Sequence, residues 1–282
     1  MRLIHSIAVL GGDARQRYLA QLLLEQNFCV ATFGVPELPD SFPAIAQTVA
    51  QADAVFLPIP AVTAGSISGL PTLTPAQLLS FLKESAIVFG GGLGSFKTLL
   101  EKTQTRYYDV LQNPALTLAN ASVTAEGAVL LALQAMPTTI QHSNMLVVGF
   151  GRIGKSLAGK LHALGANVTL TSRDPAQFPV IEQLSCTPDR TGRYHQPLSQ
   201  YDCVFNTVPA PVFSCEQLSA FSPDCIYVEL ASRPGGISPD AAKPPHYIPA
   251  PGLPGKTAPK TAASLIFRAI RDCPYFAQQE VL

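Results

Sequence analysis

Short apolar runs alternate with amphipathic stretches along the first half of the chain. The apolar runs predict buried strands at residues 7–10, 29–33, 54–57, 86–89 and 106–110. The spacing of Leu19, Leu22 and Leu23 places them on one face of a helix predicted over 15–26. Because strands that alternate with helices are typical of βαβ units, the first half predicts a complete α/β domain with a parallel sheet.

The same alternation restarts after Asn113-Pro114. A stretch rich in Ala and Leu predicts a long helix over 119–136, which Pro137 closes. Further strands are predicted at 145–148, 167–171, 203–207 and 226–230, with a helix over 152–164. Prolines and glycines crowd residues 243–259, and we expect this segment to be irregular because Pro interrupts both helices and central strands. A last helix is predicted over 260–272, before Pro274.

These elements predict an α/β protein with two Rossmann-like domains, each built on a parallel sheet, and a cleft between them. We expect residues 1–118 to form an N-terminal substrate domain and residues 119–259 to form a dinucleotide-binding domain. Residues 260–282 carry the C-terminal helix, which we expect to pack back on the first domain.

Composition narrows the possible partners. The chain of 282 residues is 47% hydrophobic and 13% charged, and its 19 basic and 19 acidic side chains leave no net charge. Clustered Lys and Arg are absent, so we expect neither nucleic acid nor an anionic membrane as a partner. No apolar window approaches the roughly 18 residues of a membrane span, and the apolar run near the N-terminus is too short for a signal segment. We therefore expect a cytoplasmic protein.

The six cysteines give no sign of a metal site. None forms a C-x-x-C pair or stands beside a His at ligand spacing, and several lie in or next to apolar runs. We expect reduced, buried thiols and no bound metal.

The strongest motif is Gly149-Phe150-Gly151-Arg152-Ile153-Gly154, which follows a predicted strand and opens a predicted helix. That context is what a dinucleotide fingerprint requires. Gly149 allows the tight turn, Gly151 allows the pyrophosphate to approach, and Gly154 allows the helix to pack on the strand. We expect Arg152 and Ile153, in the first helical turn, to contribute backbone N–H groups to the phosphates.

The end of the next strand bears on the choice of cofactor. NAD enzymes usually place an acid there, about 20 residues past the glycines, to bind the ribose 2′-hydroxyl. This chain has Thr171-Ser172-Arg173, and Ser172 and Arg173 suit a 2′-phosphate, so we favour NADP while NAD stays possible. Asp174 is an alternative ribose ligand, although Pro175 suggests that it caps the next helix.

Two later strand ends carry polar and Gly/Pro-rich sequences, namely Asn206-Thr207-Val208-Pro209-Ala210 and Leu230-Ala231-Ser232-Arg233-Pro234-Gly235-Gly236. Ligands of open parallel sheets bind beyond the carboxyl ends of the strands. We expect Thr207, Val208, Pro209 and Ala231 to line a nicotinamide site. Ordinary turns are the alternative.

In this order, the motifs resemble the family of the dipicolinate synthase A subunit over nearly the whole chain. The resemblance rests on the strings already quoted and on Gly11-Gly12-Asp13-Ala14-Arg15-Gln16, Thr124-Ala125-Glu126-Gly127-Ala128, Pro251-Gly252-Leu253-Pro254-Gly255-Lys256 and Ala258-Pro259-Lys260-Thr261-Ala262. It implies oxidation of dihydrodipicolinate to dipicolinate during sporulation, together with a flavoprotein-like partner, the dipicolinate synthase B subunit. It also implies a two-domain plan like that of the 2-hydroxy-acid and alanine dehydrogenases, and we expect a homo-oligomer.

Such a substrate is a small dianion, which needs cationic side chains or N–H groups to hold it. Arg233 is the favoured catalytic cation, with Lys256 and Ser232 beside it in the expected site. On the first domain, Gly11 and Gly12 are candidates for an anion-binding nest with Asp13 and Arg15, and Lys260 is a further candidate cation.

The base is less well marked. Glu126 stands in a helix of Ala, Leu and Val, which suggests a partly buried carboxyl with a raised pKa, although it could instead face solvent or pair with a lysine. Of the five histidines only His246 lies near the expected site, and no acid stands beside it, which argues against a hydroxy-acid dehydrogenase. A dehydrogenase of another small dicarboxylate or 2-oxo acid, and a non-catalytic protein that senses dinucleotides for a partner, remain alternatives.

Overall fold

The computed structural model describes residues 4–276, and in it the chain divides into two compact units. One unit runs to Asn120 and resumes at Ala258, and the other comprises Ala121–Thr257. Residues 277–282 of the expected C-terminal segment lie outside the described residues.

The first unit is built on a parallel sheet with helices between its strands. Its elements up to residue 109 are β1 (Ser6–Leu10), α1 (Ala14–Glu25), β2 (Cys29–Phe33), α2 (Ile45–Ala50), β3 (Ala54–Phe56), β4 (Val62–Thr63), β5 (Ser66–Ile67), α3 (Pro75–Phe81), β6 (Ile87–Gly90), α4 (Ser95–Lys102) and β7 (Arg106–Asp109). The strand order is β2-β1-β3-β6-β7, and β4 with β5 forms a separate small hairpin. The central strands are buried on both faces, which explains why they are continuous apolar runs in the sequence.

Helix α5 (Pro114–Ala135) passes from the first unit into the second. It begins before the predicted residue 119, because Asn113 Oδ1 accepts a hydrogen bond from the N–H of Leu116 and Pro114 suits a first helical turn. By length and composition α5 could cross a membrane, so the expectation that no segment approaches a membrane span is corrected. Core helices pass the same test, and Ala125, Ala128 and Ala132 of α5 lie in the core of the second unit.

The second unit contains a six-stranded sheet, also with parallel pairing throughout. Its elements are β8 (Asn144–Val148), α6 (Arg152–Ala163), β9 (Asn167–Ser172), α7 (Phe178–Gln183), β10 (Thr187–Arg190), β11 (Cys203–Asn206), α8 (Cys215–Ser219), β12 (Ile226–Glu229), β13 (His246–Pro249) and α9 (Leu253–Thr257). The strand order is β10-β9-β8-β11-β12-β13. The α/β class and the parallel sheets predicted from the sequence are confirmed.

The prediction of an irregular segment over 243–259 is wrong in part, because it contains β13 and α9. Strand β13 lies at the edge of the sheet, where Pro249 at its last position removes no hydrogen bond from a central ladder. Pro254 is the second residue of α9, where the missing N–H has no partner within a helix. Both prolines therefore occupy positions that regular structure tolerates.

Helix α10 (Pro259–Arg271) returns to the first unit and packs along α1. Its apolar face carries Ala263, Ile266 and Ile270, which join the core of that unit with Leu19 and Leu23 of α1.

Four of the six cysteines are buried, whereas Cys29 and Cys215 are exposed. The prediction of buried thiols is therefore correct for four of them and wrong for these two.

Candidate functional site

The loop between β8 and α6 has the geometry that a bound pyrophosphate needs. Gly149 has a φ of 105°, a conformation that side chains rarely adopt. A Cβ at Gly154 would overlap the carbonyl oxygen of Gly149, so α6 can pack this closely only with glycine there. A Cβ at Gly151 would meet no protein atom within 4 Å, which leaves the approach to the helix N-terminus open. These glycines fit a dinucleotide.

The residues around the three glycines complete this loop. Arg152 is exposed at the start of α6, and Ile153 packs against the core of the second unit. The Lys155 ammonium lies 4.2 Å from the centre of the Phe150 ring. The hydroxyl of Thr207, at the end of β11, donates a 2.8 Å hydrogen bond to the carbonyl oxygen of Val148 and closes the loop from the other side. The end of β11 therefore shapes the phosphate loop directly.

The end of β9 presents a cation, followed by an acid that caps the next short helix. Arg173 is exposed and lines a cavity of about 410 Å³ with Thr191, Gly192 and Val208. Ser172 is buried, and its hydroxyl accepts a hydrogen bond from the N–H of Asp174. Asp174 Oδ1 accepts from the N–H of Ala176, so this carboxylate caps the short 3-10 helix at Pro175–Gln177.

The ends of β11 and β12 are joined by a buried polar network that the sequence did not reveal. The Asn206 side chain donates to Glu229 Oε1 at 2.7 Å, and the N–H groups of Ala231 and Gly236 donate to the same carboxylate at 3.1 and 2.8 Å. Burial raises the pKa of Glu229, although these three hydrogen bonds oppose the rise. Glu229 is the last residue of β12 and lies inside the apolar run 226–230, and an acid within such a run was the signal present in the sequence.

A cavity of about 590 Å³ lies beyond the ends of β12 and β13. Ala231, Ser232 and Arg233 line it, with Glu229 at its wall. Among residues 4–276, the Arg233 guanidinium has no acidic partner. Lys243 also lines the cavity, and its ammonium lies 4.7 Å from the centre of the Tyr247 ring. The cavity thus brings together two cations, and Lys243 is one that the sequence did not single out.

Four other predicted site residues do not line the cavity beyond β12. Val208 and Pro209 follow Asn206 at the end of β11, as expected from the sequence. Lys256 is exposed on α9 and is not among the residues that line the cavity beyond β12. Lys260 is exposed in the first turn of α10, in the first unit.

Glu126 is not the buried base that its apolar surroundings suggested. Its side chain is 65% exposed, and its Oε1 lies 3.1 Å from the ammonium of Lys160. Helix α5 turns this position toward solvent, whereas its neighbours Ala125 and Ala128 face the core. The lysine-paired alternative is therefore the correct one.

The first-unit anion nest is also corrected. The N–H of Gly11 donates to the carbonyl of Phe33, and the N–H of Gly12 donates to that of Ser68. Both N–H groups that would hold an anion are therefore already bonded, because the segment around β5 covers the end of β1.

Arg15, the cation next to this turn, is also already bound to other groups of the protein. The buried Arg15 guanidinium binds Asp13, with Nη2 2.7 Å from Oδ2, and also donates to the carbonyl of Ile59. Burial raises the pKa of Asp13, but Arg15 outweighs that effect and the net shift is downward. Within the first unit, this pair stabilises the turn and leaves no free charge for a substrate.

Two family models match the chain in succession. The model of the N-terminal domain of the dipicolinate synthase A subunit matches residues 6–111. The model of the D-isomer specific 2-hydroxyacid dehydrogenase NAD-binding domain matches residues 117–231, the region that contains the phosphate loop. These matches agree with a nicotinamide dinucleotide as the cofactor.

Whole-chain comparisons agree with the family models. The A subunit of dipicolinate synthase from Bacillus subtilis (strain 168) is 28% identical over 274 residues, 92% of each chain. The crystal structure of the corresponding A subunit from Bacillus halodurans superposes with a TM-score of 0.81 at 27% identity, covering 95% of this chain and 98% of that one. The apo-structure of D-lactate dehydrogenase from Escherichia coli shares the fold, with a TM-score of 0.60 at 12% identity over 94% and 95% of the two chains. The chain is therefore similar over nearly its whole length to the A subunit of dipicolinate synthase, and it is an NAD(P)-dependent oxidoreductase.

Proposed function

We propose that this chain oxidises dihydrodipicolinate, or its hydrated precursor, to dipicolinate with NADP. The observation that carries the proposal is the cavity beyond β12, in which Arg233 has no acidic partner among the described residues. A guanidinium binds a carboxylate through two parallel hydrogen bonds, which is the recognition that a dicarboxylate requires. The relatives are named for dipicolinate, and the cavity supplies a reason why a dianion would bind.

The chemistry of the proposed reaction is a two-electron oxidation that makes the ring aromatic, and the hydrated precursor must also lose one water. NADP, when bound, accepts the hydride. The residues of this chain orient the substrate: Arg233 pairs with one carboxylate, Lys243 is placed to pair with the other, and the Ser232 hydroxyl offers a hydrogen bond. Glu229 holds the loop that carries Ser232 and Arg233, through its bonds to Ala231 and Gly236. The released proton passes to water or to a carboxylate.

NADP is preferred over NAD in this proposal because Arg173 stands where an NAD enzyme carries an acid, and Asp174 is used as a cap. Arg173→Ala should weaken NADP binding by about 1–3 kcal/mol, the contribution of a charge-assisted hydrogen bond, and leave NAD binding nearly unchanged. Titration calorimetry with both cofactors measures this. Equal losses for the two cofactors would contradict the assignment.

We also propose that the protein acts with a second, flavoprotein-like chain, the dipicolinate synthase B subunit, in the cytoplasm of sporulating cells. The relatives are themselves named as one subunit of a larger enzyme, which supports a partner. A homo-oligomer is proposed because α5 exposes Leu133 at 55% and Leu130 at 41%. Light scattering of the purified chain tests the oligomer, and co-purification with the flavoprotein-like partner tests the complex.

The decisive experiment follows the absorbance of the reduced nicotinamide after mixing the chain with NADP and freshly prepared dihydrodipicolinate, with and without the flavoprotein-like partner. Formation of dipicolinate at the rate of NADP reduction supports the proposal. Turnover only with another dicarboxylate or 2-oxo acid would identify the alternative dehydrogenase. NADP binding without turnover in any mixture would identify a dinucleotide sensor.

A further inference from the structure

The loops after β9 and β10 meet at one edge of the second unit's sheet. The two strands pair in register, with Arg190 opposite Ser172. Just beyond them, the N–H of Thr191 donates to the carbonyl of Ser172 at 3.1 Å. Because neighbouring strands lie about 5 Å apart, a side chain leaving the end of β10 is within reach of a group bound at the end of β9.

This edge is also connected to the phosphate loop. The N–H of Gly149 donates to Thr171 Oγ1 at 3.2 Å, and Thr171 Oγ1 lies 2.7 Å from Thr191 Oγ1. The chain of hydrogen bonds runs from the pyrophosphate loop through β9 to the loop after β10. A dinucleotide that binds at Gly149 therefore extends its adenosine end toward this loop, since the ribose lies at the end of the second strand in this fold.

Three exposed arginines lie at the strand ends and turn of this edge: Arg173 follows β9, Arg190 ends β10 and Arg193 lies in the turn after it, and we call them the arginine cluster. Arg190 and Arg193 flank one tight turn, in which the N–H of Arg193 donates to the carbonyl of Arg190. Within residues 4–276, none of the three guanidinium groups has a hydrogen-bond or ion-pair partner.

The acids nearest in sequence are engaged elsewhere. Asp174 caps the 3-10 helix that follows β9. Asp189 is 1% exposed, and its carboxylate accepts hydrogen bonds from the N–H groups of Arg190 and His195, while its Oδ1 lies 2.7 Å from Nδ1 of His195. Neither carboxylate forms an ion pair with a guanidinium of the arginine cluster, so these two acids do not neutralise it.

We propose that Arg190 and Arg193 join Arg173 to bind the 2′-phosphate of NADP, so that the loop after β10 sets cofactor specificity. A phosphate monoester carries about two negative charges at neutral pH and three strong acceptor oxygens, which match several guanidinium groups better than one. NAD, which has a hydroxyl there, gains nothing from the cluster. This inference rests on the proposed use of NADP. It adds two residues, Arg190 and Arg193, to the site that selects the cofactor, and both lie outside β9, the strand whose end usually decides between NADP and NAD.

The test measures binding without turnover, by titration calorimetry on the full chain. The probes are NADP, NAD and adenosine 2′,5′-bisphosphate, and the variants are Arg190→Ala, Arg193→Ala and the double variant, with Arg173→Ala as reference. Arg268→Ala is the matched control, because Arg268 is an exposed arginine on α10 without a partner among the described residues. Each single variant should weaken NADP and adenosine 2′,5′-bisphosphate about tenfold, the double variant more, and NAD by less than twofold.

The outcomes separate this inference from the proposal beneath it. If the unmodified chain binds NADP and NAD equally, the NADP preference itself is wrong, and the inference falls with it. If the unmodified chain prefers NADP and Arg173→Ala removes that preference, but Arg190→Ala and Arg193→Ala behave like Arg268→Ala, only the inference is wrong. Equal losses of NADP and NAD in the Arg190 and Arg193 variants would show a structural effect and also overturn it.

Discussion

The side-chain amide of Asn206 donates a 2.7 Å hydrogen bond to the buried carboxylate of Glu229 across the ends of two adjacent strands. The same amide holds its own turn, because it donates to the carbonyl of Val208 and its oxygen accepts from the N–H of Val208. Glu229 in turn holds the loop that carries Arg233. One carboxylate therefore fixes the two loops that border the expected nicotinamide site.

Replacing Glu229 by Gln tests the strength of this network. The amide has nearly the same shape, but its NH₂ group must face a donor, from Asn206, Ala231 or Gly236. We expect the free energy of unfolding to fall by about 1–3 kcal/mol, the cost of an unsatisfied buried donor. Urea unfolding measures it, with Glu182→Gln on the exposed face of α7 as control. Equal stability of the two variants would contradict the role given to Glu229.

Gly151 and Gly159 form a matched pair for the phosphate loop, since a Cβ at either position meets no protein atom within 4 Å. Gly159→Ala should leave dinucleotide binding unchanged and stabilise α6 by about 1 kcal/mol, the difference in helix propensity. Gly151→Ala should keep the fold but weaken dinucleotide binding tenfold or more, because the methyl group stands where the pyrophosphate approaches. Thermal unfolding and cofactor titration of both variants separate the two effects. Undiminished binding by Gly151→Ala would place the pyrophosphate elsewhere.

Arg233 and Lys256 were both expected to hold the substrate, and the structure now distinguishes them. Arg233→Ala should lower kcat/KM at least tenfold, roughly 1.4 kcal/mol of lost transition-state stabilisation, with cofactor affinity unchanged. Lys256→Ala removes an exposed cation that does not line the cavity beyond β12, so we expect a smaller effect. Steady-state kinetics on both variants decides. Near-normal kcat/KM for Arg233→Ala would move the substrate site out of this cavity.

Asp53 links the start of β1 to β3 and gives a pH-dependent contribution to stability. Burial raises its pKa, but hydrogen bonds from Lys83, Ser6 and His5 outweigh this and hold the pKa well below its ordinary value of 3.8. Because the pKa of Asp53 is lower in the folded chain than in the unfolded chain, the ionised carboxylate stabilises the fold at any pH above the unfolded-state pKa. This stabilisation is lost as the pH falls through the lowered pKa. Asp53→Asn should therefore cost about 1–3 kcal/mol at neutral pH and less in acid. A cost independent of pH in denaturant unfolding would count against the ion pair.

The sequence predicts the sheets well because their central strands are buried on both faces and must be apolar throughout. The phosphate loop is also predictable, because the local backbone geometry requires glycine at Gly149 and Gly154, and the approach of a pyrophosphate requires it at Gly151. Gly11 and Gly12 show the limit of this reasoning. Their pattern suggests a nest, but whether the N–H groups are free depends on Phe33 and Ser68, which are distant in sequence.

Glu126 and Glu229 show the same limit for acids. Helix α5 is apolar nearly all round, so its sequence does not reveal which face meets solvent, and the expectation for Glu126 placed it on the wrong one. Glu229 lies inside an apolar run, and its buried oxygens are satisfied by Asn206 at the end of the neighbouring strand and by two N–H groups of the loop that follows it. Both outcomes depend on contacts that tertiary structure alone provides.

The return of α10 to α1 has a consequence for how the protein is made. The second unit is a continuous stretch, Ala121–Thr257, inserted into a first unit that lacks α10 until residues 259–271 have been synthesised. During synthesis on the ribosome, all strands of the second unit are made before α10 is. The core of the first unit is completed only then, because it includes Ile266 and Ile270. Until α10 is made, the apolar face of α1 that packs against it stays exposed. A premature stop after residue 257 would leave the second unit whole and the first unit without α10.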